Sequence, residues 1–187
     1  MNVLYLGISG VLHPSASFYK MCFGRSPSDD GHHEYEAVPV LERALEGWPD
    51  VRMVLTSTQP WAHGLPFVLE KMGPSLASRV DGFTYEDLTV RLRRGHRQLP
   101  LSNEDYWRLM KADIVKTHVE WLKPSAWVAV DDETTLWADE DRELRLVDVD
   151  GRKGLLDSKA QDRLLTLLWG NFGAPSVRSA AAPGLTS

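Results

Sequence analysis

The chain has 187 residues, 43% of them hydrophobic, which suits one domain with its own core. Its 21 basic and 26 acidic side chains leave a net charge of -5, excluding a global pull toward nucleic acid or an anionic membrane. A lone cysteine (Cys22), no apolar run of the roughly 18 residues a membrane helix needs, and no basic start of a signal peptide make a reducing cytoplasm the expected compartment.

Val3 to Leu6 form a short, continuous apolar run, the pattern of a buried strand, and the glycine-punctuated turn GISGV follows at once. Residues 12 to 34 show no clear period and hold Pro, Ser, Asp and Gly, so a long loop or small insert is expected there. EYEAVPVLERALEGWP places Val38, Leu41, Leu45 and Trp48 on one helical face and stops before Pro49. VRMVL (51 to 55) reads as a second buried strand, closed by Thr56, Ser57 and Thr58. A short helix over 64 to 74 carries Val68, Leu69 and Met72 and ends at Gly73-Pro74, and RVDGFTY (79 to 85) follows as a third strand.

Residues 86 to 108 have no legible period and include the basic run RLRRGHRQLP. The next segment sets Ile114, Val115, His118, Val119 and Leu122 at helical spacing, with Pro124 just past its end. AWVAV (126 to 130) is a fourth strand running into Asp131-Asp132-Glu133, and LRLVDV (144 to 149) a fifth. A last helix is expected from Ser158, as N-cap, through Leu164, Leu165 and Leu168. The domain is expected to span 1 to 172 and the small, polar tail 173 to 187 to be disordered. The seven tryptophans are assigned to the core and its rim, since nothing in their spacing groups them.

Strands alternating with helices predict an α/β fold, a three-layer Rossmann-like arrangement with a mostly parallel sheet and helices on both faces. Ligands of such sheets bind beyond the carboxyl ends of the strands. Gly7 to Gly10, Thr56 to Thr58 and Asp131 to Glu133 are therefore the candidate crevice. The spacing G-x-x-G, with its next helix far downstream, does not match a dinucleotide fingerprint.

LYLGISGVLHP resembles the first motif of the haloacid dehalogenase (HAD) superfamily, a strand followed by Asp-x-Asp-Gly-Thr/Val-Leu; Gly10, Val11 and Leu12 carry the match. VRMVLTST resembles the second motif, with Thr56 the first choice and Ser57 the second. Lys111 stands where the third motif puts its basic residue, with Arg108 and Lys116 as alternatives, and WVAVDDE resembles the fourth through Asp131 and Asp132. Order and spacing agree across roughly residues 1 to 170, closest to small HAD-like domains of RNA-repair proteins with minimal or no cap.

The resemblance implies a chemistry. In the family the first aspartate attacks phosphorus, the second is acid and base, the Ser/Thr and Lys hold the phosphoryl oxygens, and Mg²⁺ offsets the charge. Here Gly7 stands at the nucleophile and Ser9 at the acid/base position. The implied Mg²⁺ site keeps only Asp131, Asp132 and a carbonyl of Ser9, and the covalent step has no carrier. The expected protein is thus a catalytically impaired phosphatase homologue, a pseudoenzyme binding a phosphorylated small molecule, a nucleic-acid end or a protein partner.

Two other readings stand beside it. Asp131 or Asp132, with a metal, could activate water for direct attack, assisted by Ser9 or His13. Alternatively Arg91, Arg93, Arg94, His96 and Arg97 could contact an RNA backbone, although a solvated loop explains such a run as well. The bland accounts are turn-capping for Asp131-Asp132, backbone satisfaction for Thr56 to Thr58, and a solvated helix start for Lys111. His32-His33 lack metal-ligand spacing, and His118 falls on an apolar helix face, as a core histidine would.

Overall fold

The computed structural model describes residues 1–89 and 101–176. Five parallel strands form one sheet: β1 (Asn2–Leu6), β2 (Arg52–Leu55), β3 (Val80–Phe83), β4 (Ala126–Asp131) and β5 (Leu146–Asp148), in the order β3-β2-β1-β4-β5. β1 lies in the middle, with Leu6 in register with Leu55 on one side and Val130 on the other. The chain leaves β1 toward β2 but leaves β4 toward β5, in the opposite direction. The carboxyl ends of β1 and β4 therefore flank the topological switch point, where open α/β sheets bind ligands.

Alternation along β1 divides its side chains between two cores. Leu4 and Leu6 join the larger one, with Leu41 and Leu45 of α2 (Val38–Leu45), Val68, Met72 and Leu76 of α4 (Leu65–Ala77), and Leu164 and Leu168 of α9 (Ser158–Phe172). Val3 and Tyr5 face the other, with Ala112 and Val115 of α7 (Lys111–Leu122), Trp127 and Trp137. The expected helices on both faces are present, and the sheet is parallel throughout. Burial of these aliphatic side chains on both faces, at about 25 cal/mol per Å² of apolar surface, is the main force holding the layers together.

Several local expectations are corrected. Residues 12 to 34, expected as a long loop or small insert, are the latter: they hold α1 (Ala16–Phe23) and a 3-10 turn, Pro27–Asp30. α1 shows little periodic signal because only Tyr19 on it is buried, while Met21 and Phe23 are exposed. The helix expected to end at Gly73-Pro74 kinks there, since Gly73 takes φ +74°, and resumes to Ala77. α3 (Gln59–His63), α5 (Thr84–Thr89), α6 (Asn103–Arg108) and α8 (Asp139–Leu144) are too short to reveal a period. The last helix is capped by Asp157, whose carboxylate accepts from Lys159 N at 3.1 Å, and Ser158 is its first residue.

Of the tail expected to be disordered, Pro175 and Ser176 lie against Gly47, just past α2, with Ser176 N donating to Gly47 O at 2.7 Å. Residues 177 to 187 of that tail and the basic run Arg91 to Arg97 lie outside the described residues. Among the described residues no helix is long and apolar enough to cross a membrane.

Candidate functional site

Three strand ends stand at one level. Thr56 N donates to Leu6 O and Gly7 N to Val130 O, each at 2.9 Å, so Thr56, Gly7 and Asp131 continue the ladder as neighbours. Their side-chain positions share one face, and Gly7 leaves the middle one empty. A Cβ there would fall 2.9 Å from Val11 Cγ2 and 3.0 Å from Asp131 Oδ2, so any larger residue makes its neighbours shift. The glycine is thus accommodated by the surrounding packing.

Beyond Gly7 the chain turns tightly: Val11 N and Leu12 N both donate to Ile8 O, and Gly10 N donates to His13 O. Ser9 is exposed at the apex. Gly10 has φ +80°, and a Cβ on it would lie 2.1 Å from Asp132 Oδ2. A Cβ on Gly151, after β5, would lie 2.5 Å from the same oxygen. Two glycines therefore form the slot that admits the Asp132 carboxyl. Burial there, with Asp131 next in line, pushes Asp132 up to about 6.

Asp131 is 3% exposed and held from three sides. Thr56 Oγ1 donates to its Oδ2 at 3.0 Å, Glu133 N donates to its Oδ1 at 3.0 Å, and the Lys111 ammonium lies 3.8 Å from Oδ2. Lys111 also donates to Thr56 O at 2.5 Å. Lys111 opens α7, and the helix aims it back over the strand ends. Neither alternative basic residue joins this network: Lys116 pairs with Asp141 at 3.4 Å, and Arg108 lies exposed on α6. Ser57 is buried, its hydroxyl accepting from Gln59 N at 3.2 Å, and Thr58 caps α3 in the open. The N–H groups of Ser9, Ser57 and Thr58 have no acceptor among the described residues.

His13 lies at the edge of this crevice, where Tyr35 N donates to its Nδ1 at 3.2 Å and burial lowers its pKa. Tyr35 in turn donates its hydroxyl to Gln59 at 2.6 Å, tying the turn after β1 to α3. His32 bonds Glu36 at 2.7 Å and takes no part in the crevice. His118 is fully buried, as its place on the apolar face predicted: Tyr5 donates to its Nδ1 at 2.9 Å, and its Nε2 donates to Asp87 at 3.0 Å.

Sequence reading missed an aromatic cluster beside these strand ends. Trp61 on α3, Tyr85 on α5, and Tyr106 and Trp107 on α6 meet with ring centroids 5.0 to 6.1 Å apart. The signal lay in position: each aromatic sits within a few residues of Ser57, Phe83 or Lys111, but the four are scattered over forty-odd positions.

The donor set is a poor match for the resident Mg²⁺ that the resemblance implies. Mg²⁺ requires near-octahedral oxygen ligands, usually including an ionised carboxylate free to bind. Both oxygens of Asp131 are committed to protein donors, one of them facing an ammonium, and Asp132 sits in its glycine slot with a raised pKa. Among the described residues no three His, Cys, Asp or Glu side chains converge. What remains among the described residues is the Lys111 ammonium, the Ser57 and Thr58 hydroxyls and the N–H groups without an acceptor there.

A family model described as the HAD domain in Swiss Army Knife RNA repair proteins matches residues 3–160, covering all five strands and the crevice. No curated protein and no solved structure matches the chain.

Proposed function

Because the chain belongs to the HAD domains of Swiss Army Knife RNA repair proteins, we propose that it is a catalytically impaired member that binds a phosphorylated ligand without hydrolysing it through a phosphoenzyme. One observation carries this reading: Gly7 stands between Thr56 and Asp131 with no side chain, and a Cβ there would meet Val11 at 2.9 Å and Asp131 at 3.0 Å. A covalent route needs a carboxylate or other nucleophile at that point, and a glycine can neither attack nor leave.

Binding is supported by what survives. Lys111 supplies the cation, Ser57 and Thr58 supply hydroxyls, and the N–H groups of Ser9, Ser57 and Thr58, without acceptors among the described residues, lie at the ends of adjacent strands. Such a set suits a tetrahedral oxyanion. The ammonium is shared with Asp131, so a dianion has to compete for it, which favours a modest affinity.

A second reading has one observation in its favour. Asp132, raised to about 6, could exchange a proton near neutral pH, as direct attack by water would require. The two readings separate in one assay on p-nitrophenyl phosphate with Mg²⁺ or Mn²⁺. The proposal expects no turnover above a buffer blank, together with phosphate or tungstate binding that weakens in Lys111→Met. Sustained turnover abolished by Asp132→Asn overturns it in favour of the water mechanism.

A further inference from the structure

Trp61 is 56% and Trp107 45% exposed, and two large indoles left in water beside a crevice call for an explanation. They are not loose. Their ring centroids are 5.2 Å apart, and the planes meet at 68°. Tyr85 lies 5.2 Å from Trp107 at a shallow 34° and 6.1 Å from Trp61, and is 9% exposed. Tyr106 underlies both partners, 5.0 Å from Tyr85 and 5.4 Å from Trp107, with its hydroxyl bonded to the fully buried Thr84 at 2.9 Å. Two buried tyrosines thus hold two exposed tryptophans as an open corner.

The supports place that corner next to the crevice. Trp61 lies on the helix capped by Thr58, directly after Ser57. Thr84 and Tyr85 follow β3 without a gap. Trp107 precedes Lys111 by four positions, across the short connection from α6 to α7. Two of the segments that supply the donors, the turn after β2 and the connection from α6 to α7, therefore also supply Trp61 and Trp107.

We propose that Trp61 and Trp107 form a stacking subsite for a nucleobase, so that the ligand of the crevice is a nucleotide or a nucleotide end. This rests on the phosphate-binding reading above. A flat base can lie on one indole and meet the other edge-on, an arrangement that tolerates any base because each has a π face. The sugar then spans toward Lys111, where the phosphate finds its cation. The chain's net negative charge does not oppose this, since the contact is local and dominated by stacking.

The test is calorimetric titration, with tryptophan fluorescence in parallel, of AMP, adenosine and ribose 5-phosphate. AMP is expected to bind tightest and to quench fluorescence. Trp61→Leu and Trp107→Leu are each expected to weaken AMP by about 5- to 150-fold, from the roughly 1 to 3 kcal/mol that one stacked base contributes. Both variants leave ribose 5-phosphate unchanged, and Trp107→Phe retains most of the AMP affinity. AMP binding no tighter than ribose 5-phosphate overturns the platform and leaves the crevice reading standing. Adenosine binding as tightly as AMP, and indifferent to Lys111→Met, keeps the platform and overturns the crevice reading. No binding by any of the three overturns both.

Discussion

Thr56 donates its hydroxyl to Asp131 at 3.0 Å across the end of β1, and it does so over Gly7. Neighbouring strands lie about 4.8 Å apart, so β2 and β4 stand about 10 Å apart with β1 between them. Two side chains can close that distance only if the middle residue offers none. The absence of a side chain at Gly7 and the Thr56–Asp131 bond are thus one feature.

Gly7→Ala therefore inserts a methyl into a contact that is already closed. Overpacking of this kind costs about 1 to 3 kcal/mol. For a chain of this length, each kcal/mol lowers Tm by roughly 2 to 4 °C. Differential scanning calorimetry on the purified variant checks it, and an unchanged Tm contradicts the close approach at Gly7.

Thr56→Val keeps the shape but takes a hydrogen bond from a carboxylate that is almost wholly buried. A loss of about 1 to 3 kcal/mol is expected, with Thr56→Ser recovering much of it. Chemical denaturation of the three proteins measures the difference. If valine is tolerated as well as serine, Thr56 is not what stabilises Asp131.

Asp132 links stability to pH. Its pKa is about 6 when folded against an ordinary 3.8, so the folded chain holds that proton more tightly than the unfolded one. Stability contributed by this group is therefore intact below about pH 4 and falls as pH rises through about 6. About two units correspond to at most about 3 kcal/mol, which screening by crevice water reduces to about 1 to 2. Asp132→Asn is expected to be more stable than wild type at pH 7.5 and to differ little at pH 4. Thermal melts at both values, with chelator present, decide it; a lower Tm for Asp132→Asn at pH 7.5 contradicts the raised pKa.

His118 joins Tyr5 of β1 to Asp87 of α5 inside the second layer. His118→Phe keeps the ring but orphans a phenol and a carboxylate, an expected cost of about 2 to 4 kcal/mol. Tyr5→Phe alone removes one hydroxyl and is expected to cost about 1 kcal/mol. A double-mutant cycle over Tyr5 and His118 should show coupling of at least 0.5 kcal/mol, since the two share one hydrogen bond. Additivity would contradict that shared hydrogen bond.

Much of the architecture was legible because apolar periodicity is a local property. β1, β2 and β4 are short apolar runs, and α7 repeats its core residues at helical spacing, so each segment announced which face it buries. The strand ends could be named as a crevice from order alone, because a parallel sheet gathers its carboxyl ends on one edge. Lys111 stands first by its place in that order, with Arg108 and Lys116 as alternatives, and of these three it is Lys111 that lies 3.8 Å from Asp131.

Other properties depended on approach between distant residues. Gly7 reads as a missing carboxylate in the sequence, but only the sheet register shows Thr56 and Asp131 meeting over it. Asp132 reads as half of an acidic pair, but Gly10 and Gly151 form the slot that raises its pKa. Trp61 and Trp107 carry no mark of belonging together until α3 and α6 are folded beside the same strand ends. Local sequence thus determined which elements form and where their ends lie. The close approach of strand ends, loops and short helices decided the rest, because hydrogen bonding, desolvation and ring contact depend on distances that no segment sets alone.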